Sequence, residues 1–270
     1  VSSQSVKIIQ KAGLAAGSNV TAQTVVVLSN CFATDFEYGN NVTYFYAVVF
    51  EASFIERYTD EEIIDVMKTD ENRCTPNDNY VISFYGLEPQ TKHVLFLLGF
   101  NKDGERGELI RKEITTKSGK NQPMAYVDNV TYDAKTNKWC WETTIGAYST
   151  KYYQWVLEYN PAFYGSGKDA FVAWTFSKKI KEGVFTPILQ SSSWTYTGTA
   201  GVTQFQTVTW GVGQDGELGG TIENTCWILN SNGVKNVNES NRNTAKGIAH
   251  IGMIVNENTL FKGATITRIR

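Results

Sequence analysis

What this chain lacks narrows its function before any pattern is read. Its 270 residues hold only two histidines, His93 and His250, and four cysteines, Cys31, Cys74, Cys140 and Cys226, none in a C-x-x-C pair. A zinc site has little to draw on, and the cysteines read as buried thiols more readily than as disulfides. No apolar run approaches the ~18–20 residues of a membrane-spanning helix, and no charged-then-apolar leader follows Val1, so a transmembrane span is not expected. Neither sign of charge is in excess: 25 basic residues face 27 acidic ones, and the first 120 residues carry 12 and 16 of them. Without a basic field, nucleic acid is not an expected partner. No G-x-S-x-G, H-E-x-x-H, phosphate-loop or dinucleotide fingerprint occurs; Gly165-Ser166-Gly167-Lys168 lacks the first glycine of a phosphate loop. No catalytic residue, metal ligand or cofactor is therefore assigned.

Proline is scarce too, at five residues, whereas 14 Tyr, 14 Phe and 7 Trp accompany frequent Val and Thr. That balance favours strands, so the expected class is all-β, and 270 residues are enough for two domains with a core each. The clearest local reading is residues 87–107, LEPQTKHVLFLLGFNKDGERG: an apolar strand, VLFLLGF, turned by Lys102-Asp103-Gly104 into a charged return strand. The pattern recurs in GVGQDGELGG, where Gly99, Asp103, Gly104, Glu105 and Gly107 match Gly211, Asp215, Gly216, Glu217 and Gly219, each 112 residues on. A second set, Cys31, Thr34, Tyr44 and Phe54, matches Cys140, Thr143, Tyr153 and Phe163 at a displacement of 109. Together they predict a duplication over 1–118 and 122–230, separated by the polar segment Lys117–Pro123.

Within the first half, residues 42–54, VTYFYAVVFEASF, read as a long strand central in a sheet. Thr59-x-x-Glu62 is a capping box ahead of an apolar helix face, Ile63, Ile64, Val66 and Met67. Residues 169–181, DAFVAWTFSKKIK, would be its counterpart, although their aromatic and β-branched content reads nearly as well as a strand. The last 40 residues are outside the duplication. Residues 248–255 and 260–269 read as two strands turned at 256–258, a terminal hairpin packed on the second half.

The order of strands, Leu87-x-Pro89-x-Thr91 ahead of the strand and the G-x-x-x-D-G-E-x-G turn after it, resembles the fibronectin type III fold, and the likeness covers both halves. It is similar to tandem fibronectin type III-like domains of secreted or outer-membrane-anchored proteins from gut Bacteroidetes. The resemblance implies two immunoglobulin-like β-sandwiches with short helical insertions, in a secreted, periplasmic or surface-anchored protein. The corner tyrosine of that family is replaced by His93 in one copy and Phe205 in the other. The function implied is a non-catalytic binding or adhesion module meeting a protein or glycan at the cell surface. A carbohydrate-binding component of a polysaccharide-utilisation system and a hydrolase with its site on the inserted segments are the alternatives.

Aromatic residues supply the site candidates, because all seven tryptophans fall in the second copy. At the displacements above, Trp141, Trp155, Trp194 and Trp210 replace Phe32, Tyr46, Ile82 and Leu98, apolar positions that read as core. Trp139, Trp174 and Trp227 fall opposite the polar Asn30, Asp65 and Thr115. Those three are the candidate binding residues, as exposed rings for a sugar or protein partner; the alternative is burial, since Trp139 shares a strand face with Trp141 and the terminal hairpin can cover any of the three.

Overall fold

A computed structural model describes residues 13–69, 72–76, 80–159, 164, 168–197, 204–237, 251–254 and 265–269. The first half contributes β1 (Val20–Val27), β2 (Cys31–Tyr38), β3 (Tyr44–Glu51), α1 (Ala52–Ile55), α2 (Asp60–Met67), β4 (Arg73–Cys74), β5 (Tyr80–Tyr85), β6 (Lys92–Phe100) and β7 (Ile110–Thr115). The second contributes β8 (Ala125–Asp133), β9 (Lys138–Ile145), β10 (Lys151–Glu158), α3 (Asp169–Lys181), β11 (Ser192–Thr197), β12 (Gln204–Val212), β13 (Glu223–Asn230) and β14 (Gly233–Val237), and two strands follow, β15 (Ile251–Ile254) and β16 (Thr265–Ile269). The chain is all-β, with every sheet pairing antiparallel.

Among the described residues four sheets form, in the orders β1-β2-β5-β15, β4-β3-β6-β7, β16-β11-β9-β8 and β10-β12-β13-β14. In the first half the sheet of β1, β2 and β5 faces one built on β3, β6 and β7, and in the second the sheet of β8, β9 and β11 faces one built on β10, β12 and β13, the arrangement of immunoglobulin and fibronectin type III sandwiches. Phe32, Phe36, Ile82 and Phe84 meet Phe45, Val49, Leu95 and Leu97 across the first. Trp139, Trp141 and Tyr196 meet Val156, Phe205 and Trp227 across the second. Strand β3 is central, as its sequence predicts, but it ends at Glu51, and Ala52–Ile55 turn into α1.

The continuous apolar run of β6 has a simple cause. Leu95 and Leu97 point into the sandwich, while Val94, Phe96 and Leu98 lie under α2 with Ile63, Ile64 and Met67. A strand covered on both faces loses its polar alternation. Helix α2 begins as its sequence dictates: Thr59 N–H donates to Glu62 Oε2 at 2.8 Å and Glu62 N–H donates to Thr59 Oγ1 at 3.4 Å.

Residues 169–181 are a helix, and its composition is explained by where it lies. Ala170 to Ser177 are all buried, because α3 is covered on two sides. Against one side lie Val26, Leu28, Cys31, Ala33 and Val81 of the first sandwich, and against the other Trp155, Leu157, Val208 and Trp210 of the second. A helix apolar all round is one with no solvent face. The buried hydroxyls are satisfied within the helix, Thr175 Oγ1 donating to Phe171 O at 3.1 Å and Ser177 Oγ to Trp174 O at 2.9 Å. The layers run α2, sheet, sheet, α3, sheet, sheet, so the two sandwiches share a core.

The terminal strands correct one expectation. They do not form a hairpin on the second half: β15 pairs with β5 of the first sandwich, Ile251 opposite Ser83, and β16 pairs with β11 of the second, Thr267 opposite Thr195. Phe163 and the turn 256–258 lie outside the described residues.

At the corner before β6 the missing tyrosine hydroxyl is replaced by Thr116, whose Oγ1 donates to Glu88 O at 2.6 Å and accepts from Thr91 N–H at 3.0 Å. His93, in the tyrosine's place, is buried, and its Nδ1 lies 3.0 Å from Thr91 O, which can only accept, so Nδ1 carries the proton. Burial lowers the His93 pKa, while the Thr91 carbonyl, Glu51 and Glu88 oppose that shift. The unfolded chain then binds a proton at about pH 6.5 that the folded chain refuses until lower pH. Stability should be level above pH 6.5 and fall as the pH drops below it. Urea denaturation at pH 7.5 and 5.5 checks this, and His93→Phe, the residue of the second copy, should flatten the difference.

Candidate functional site

The three candidate tryptophans are interior. Trp139 is 0% exposed, and Trp174 and Trp227 are 7% exposed, so they are not the exposed rings that a binding role needs, and the burial alternative holds. Strand register gives the reason. Trp139 pairs with Tyr196 as Phe32 pairs with Phe84, and Trp141 pairs with Trp194 as Thr34 pairs with Ile82. The displacement in the second strand of each half is thus 107, not 109, and Trp139 occupies the core position of Phe32 rather than that of Asn30. Trp227 pairs with Phe205 as Ile114 pairs with His93, so it replaces buried Ile114 and not exposed Thr115. By the same pairings Trp155 takes the place of Val48 and Cys140 that of Ala33; all four cysteines are free thiols.

Each ring has a packing role. Trp139 lies 4.7 Å from Phe205 and 4.9 Å from Tyr132, centroid to centroid. The Trp227 Nε1–H donates to Thr207 Oγ1 at 2.9 Å. Trp174 stands on α3 with Lys178 Nζ 5.7 Å from its ring, beside a groove of about 280 Å³ that Thr24, Asp35, Lys181 and Glu182 also line. Cys31, the first residue of β2, lies against the start of that helix and is pushed well up in pKa by burial and then by Asp169, which marks it as an inert thiol.

The larger concavity lies at the junction of the halves. It is a cleft of about 730 Å³ between the linker (Lys117, Ser118, Asn121, Gln122), the β9–β10 loop (Ala147, Tyr148) and the β12–β13 turn at 213–219. Its floor explains the outer glycines of the repeated motif. Pro123 and Met124 run directly over Gly211 and Gly219, where a Cβ would overlap their backbone. In the first copy Ser18 runs over Gly99 and Gly107 in the same way. The turns match bond for bond: Gly107 N–H donates to Gly99 O and Gly219 N–H to Gly211 O, both at 2.9 Å, and Gly104 and Gly216 have φ of 78° and 82°.

The linker is fastened on both sides. Lys117 N–H donates to Leu28 O at 3.1 Å and Lys117 Nζ to Leu218 O at 2.6 Å, while Ser29 N–H reaches Gly220 O at 2.6 Å and Gln122 Oε1 accepts from Gly220 N–H at 2.7 Å. Burial lowers the Lys117 pKa, and Glu217 and Asp215 counter it. The ammonium therefore donates to a carbonyl in the field of two carboxylates instead of standing as a bare positive charge.

Two differences between the copies open this cleft. Val42 N–H to Gly39 O and Thr43 N–H to Phe100 O in the first half correspond to Ser149 N–H to Gly146 O and Thr150 N–H to Val212 O in the second, which places Tyr148 where the first copy has Asn41. Asn41 is tied down, its Nδ2 donating to Ala16 O at 2.8 Å, whereas Tyr148 is 53% exposed. Gly213 stands where Asn101 caps the first turn; Asn101 Nδ2 holds Glu105 Oε2 at 2.9 Å and its Oδ1 takes two backbone N–H groups. In the second turn Asp215 Oδ1 accepts from Glu217 N–H, and the Glu217 carboxylate has lost the amide that restrains Glu105. The sequence held a signal for the second difference, Asn101 against Gly213, but the first needed the register.

Among the described residues no three His, Cys, Asp or Glu side chains gather as metal ligands, and no helix is long and apolar enough to cross a membrane. No family model and no curated protein matches the chain. Among solved structures, a match described as the central fibronectin-III array of RIM-binding protein covers 90% of this chain and 69% of that one at 10% identity, with a TM-score of 0.23. So loose a superposition carries no argument; the strand orders carry the fold.

Proposed function

We propose that this chain is a non-catalytic binding or adhesion module acting outside the cell or at its surface, with domains over 1–118 and 122–230 and a 231–270 extension whose strands serve both. The observation that supports it is the junction: a ligand-sized concave surface built from the linker and one copy's turn, between sandwiches that share a core through α3. The hydrogen bonds of Lys117 and Gln122 fix the linker against that turn, so binding there need not order a flexible joint. The secreted, periplasmic or surface-anchored location belongs to the same reading and follows the fibronectin-like resemblance.

The test is retention without turnover. The immobilised full chain, exposed to arrays of glycans and of extracellular proteins, should capture a ligand that mass spectrometry recovers chemically unchanged. Recovery of a cleaved ligand in amounts exceeding the protein would replace this reading with a hydrolase.

A further inference from the structure

We propose that the junction cleft is a saccharide site for neutral oligosaccharides, with Tyr148 as its stacking platform and Glu217, Gln214 and Asn121 as partners for sugar hydroxyls. The inference rests on the binding-module reading and names the ligand class of that same cleft. The duplication acts as an internal control. At equivalent positions the first copy uses Asn41 and Asn101 for local hydrogen bonds, and the second has instead an exposed phenol ring and a glycine that leaves Glu217 without the amide that holds Glu105. Gly213 also makes room for the Asp215 and Pro123 side chains, which would lie 2.8 and 3.2 Å from an added Cβ, whereas the Tyr148 ring is exposed. Both changes add ligand-facing chemistry to one concavity of about 730 Å³, a volume suited to a small ligand.

The chemistry of the lining selects the class. The electron-rich face of an exposed ring attracts the partially positive C–H groups on one side of a pyranose. Amides both donate and accept, and a carboxylate accepts strongly, which matches hydroxyls that do both. Charge argues against anionic sugars and phosphates: Asp215 and Glu217 outnumber Lys117, whose ammonium already donates to Leu218 O.

The probes are hexaoses of β-linked glucose, xylose, mannose and galactose, titrated calorimetrically into the full chain and followed by saturation-transfer NMR. At least one should bind, with saturation transferred from tyrosine ring protons. Tyr148→Ala should weaken that binding at least tenfold and Glu217→Gln at least threefold, with melting temperatures unchanged, whereas Tyr58→Ala, an exposed phenol of the first half, should leave affinity unaltered. Binding of none of the four, or an affinity of Tyr148→Ala within threefold of the parent, overturns the site. Capture of a protein ligand by a chain that binds no hexaose overturns the sugar assignment and leaves the module reading standing. Cleavage of a bound hexaose overturns the module reading while a Tyr148-dependent affinity still upholds the site.

Discussion

Phe176→Ala should destabilise the entire chain by about 3–5 kcal/mol, the cost of truncating a fully buried aromatic. Phe176 is completely enclosed, with ring centroids of Phe185 at 4.9 Å, Trp155 at 5.6 Å and Trp210 at 6.2 Å. Its loss would leave a cavity on the second-sandwich side of α3, whose other neighbours Cys31, Ala33 and Val81 belong to the first. The damage should therefore reach both halves. The parent chain is expected to melt in one calorimetric transition and the variant in two, because the shared core is what couples them. Val184→Ala, on a residue 59% exposed, should change stability by less than about 0.5 kcal/mol. Two separate transitions in the parent, or a Phe176→Ala cost near that of Val184→Ala, would refute the shared core.

Gly99→Ala and Gly211→Ala should each be costly because a backbone stands where the new methyl must go. At Gly99 the Cβ would overlap the Ser18 carbonyl oxygen and press on Val20 Cγ2 at 3.0 Å; at Gly211 it would overlap Met124 N. No rotamer change relieves either clash, so the cost should reach the upper part of the roughly 1–3 kcal/mol range for overpacking. Gly104 and Gly216 form the contrast. Nothing lies within 4 Å of their added Cβ, and only the positive φ penalises alanine, by about 1–2 kcal/mol. Urea midpoints of the four variants give the order, with Gly99→Ala and Gly211→Ala expected below Gly104→Ala and Gly216→Ala. Gly211→Ala should in addition impair any ligand of the junction cleft, since Pro123 and Met124 must move.

These contrasts show why part of the molecule could be read early. The turn motif, the capping box of Thr59 and Glu62 and the apolar run of β6 are set by interactions within a few residues, and each stands where its residues predict. The displacements of 109 and 112 rest on scattered identities, in strands where side chains alternate with a period of two. An even error of two residues kept Trp139 on a core face but assigned it the wrong partner, Asn30 for Phe32. An odd error of one residue moved Trp227 from the core position of Ile114 to the exposed one of Thr115. Tyr148 does not stand out in the sequence for the same reason, since its comparison with Asn41 requires the true register.

By itself the sequence determined the class, the duplication, the hairpin turns and the start of α2, all of which follow from local propensity, spacing and composition. Only the tertiary structure decided that α3 is covered on two sides, that β15 and β16 part to different sandwiches, that the candidate tryptophans are interior and that linker, loop and turn enclose a cleft. Those features depend on which surfaces of distant segments meet. Burial of α3 is a property of two sheets that reach it from distant segments, Val26 to Val81 and Trp155 to Trp210, and no local pattern distinguishes a helix covered once from a helix covered twice except the loss of its polar face.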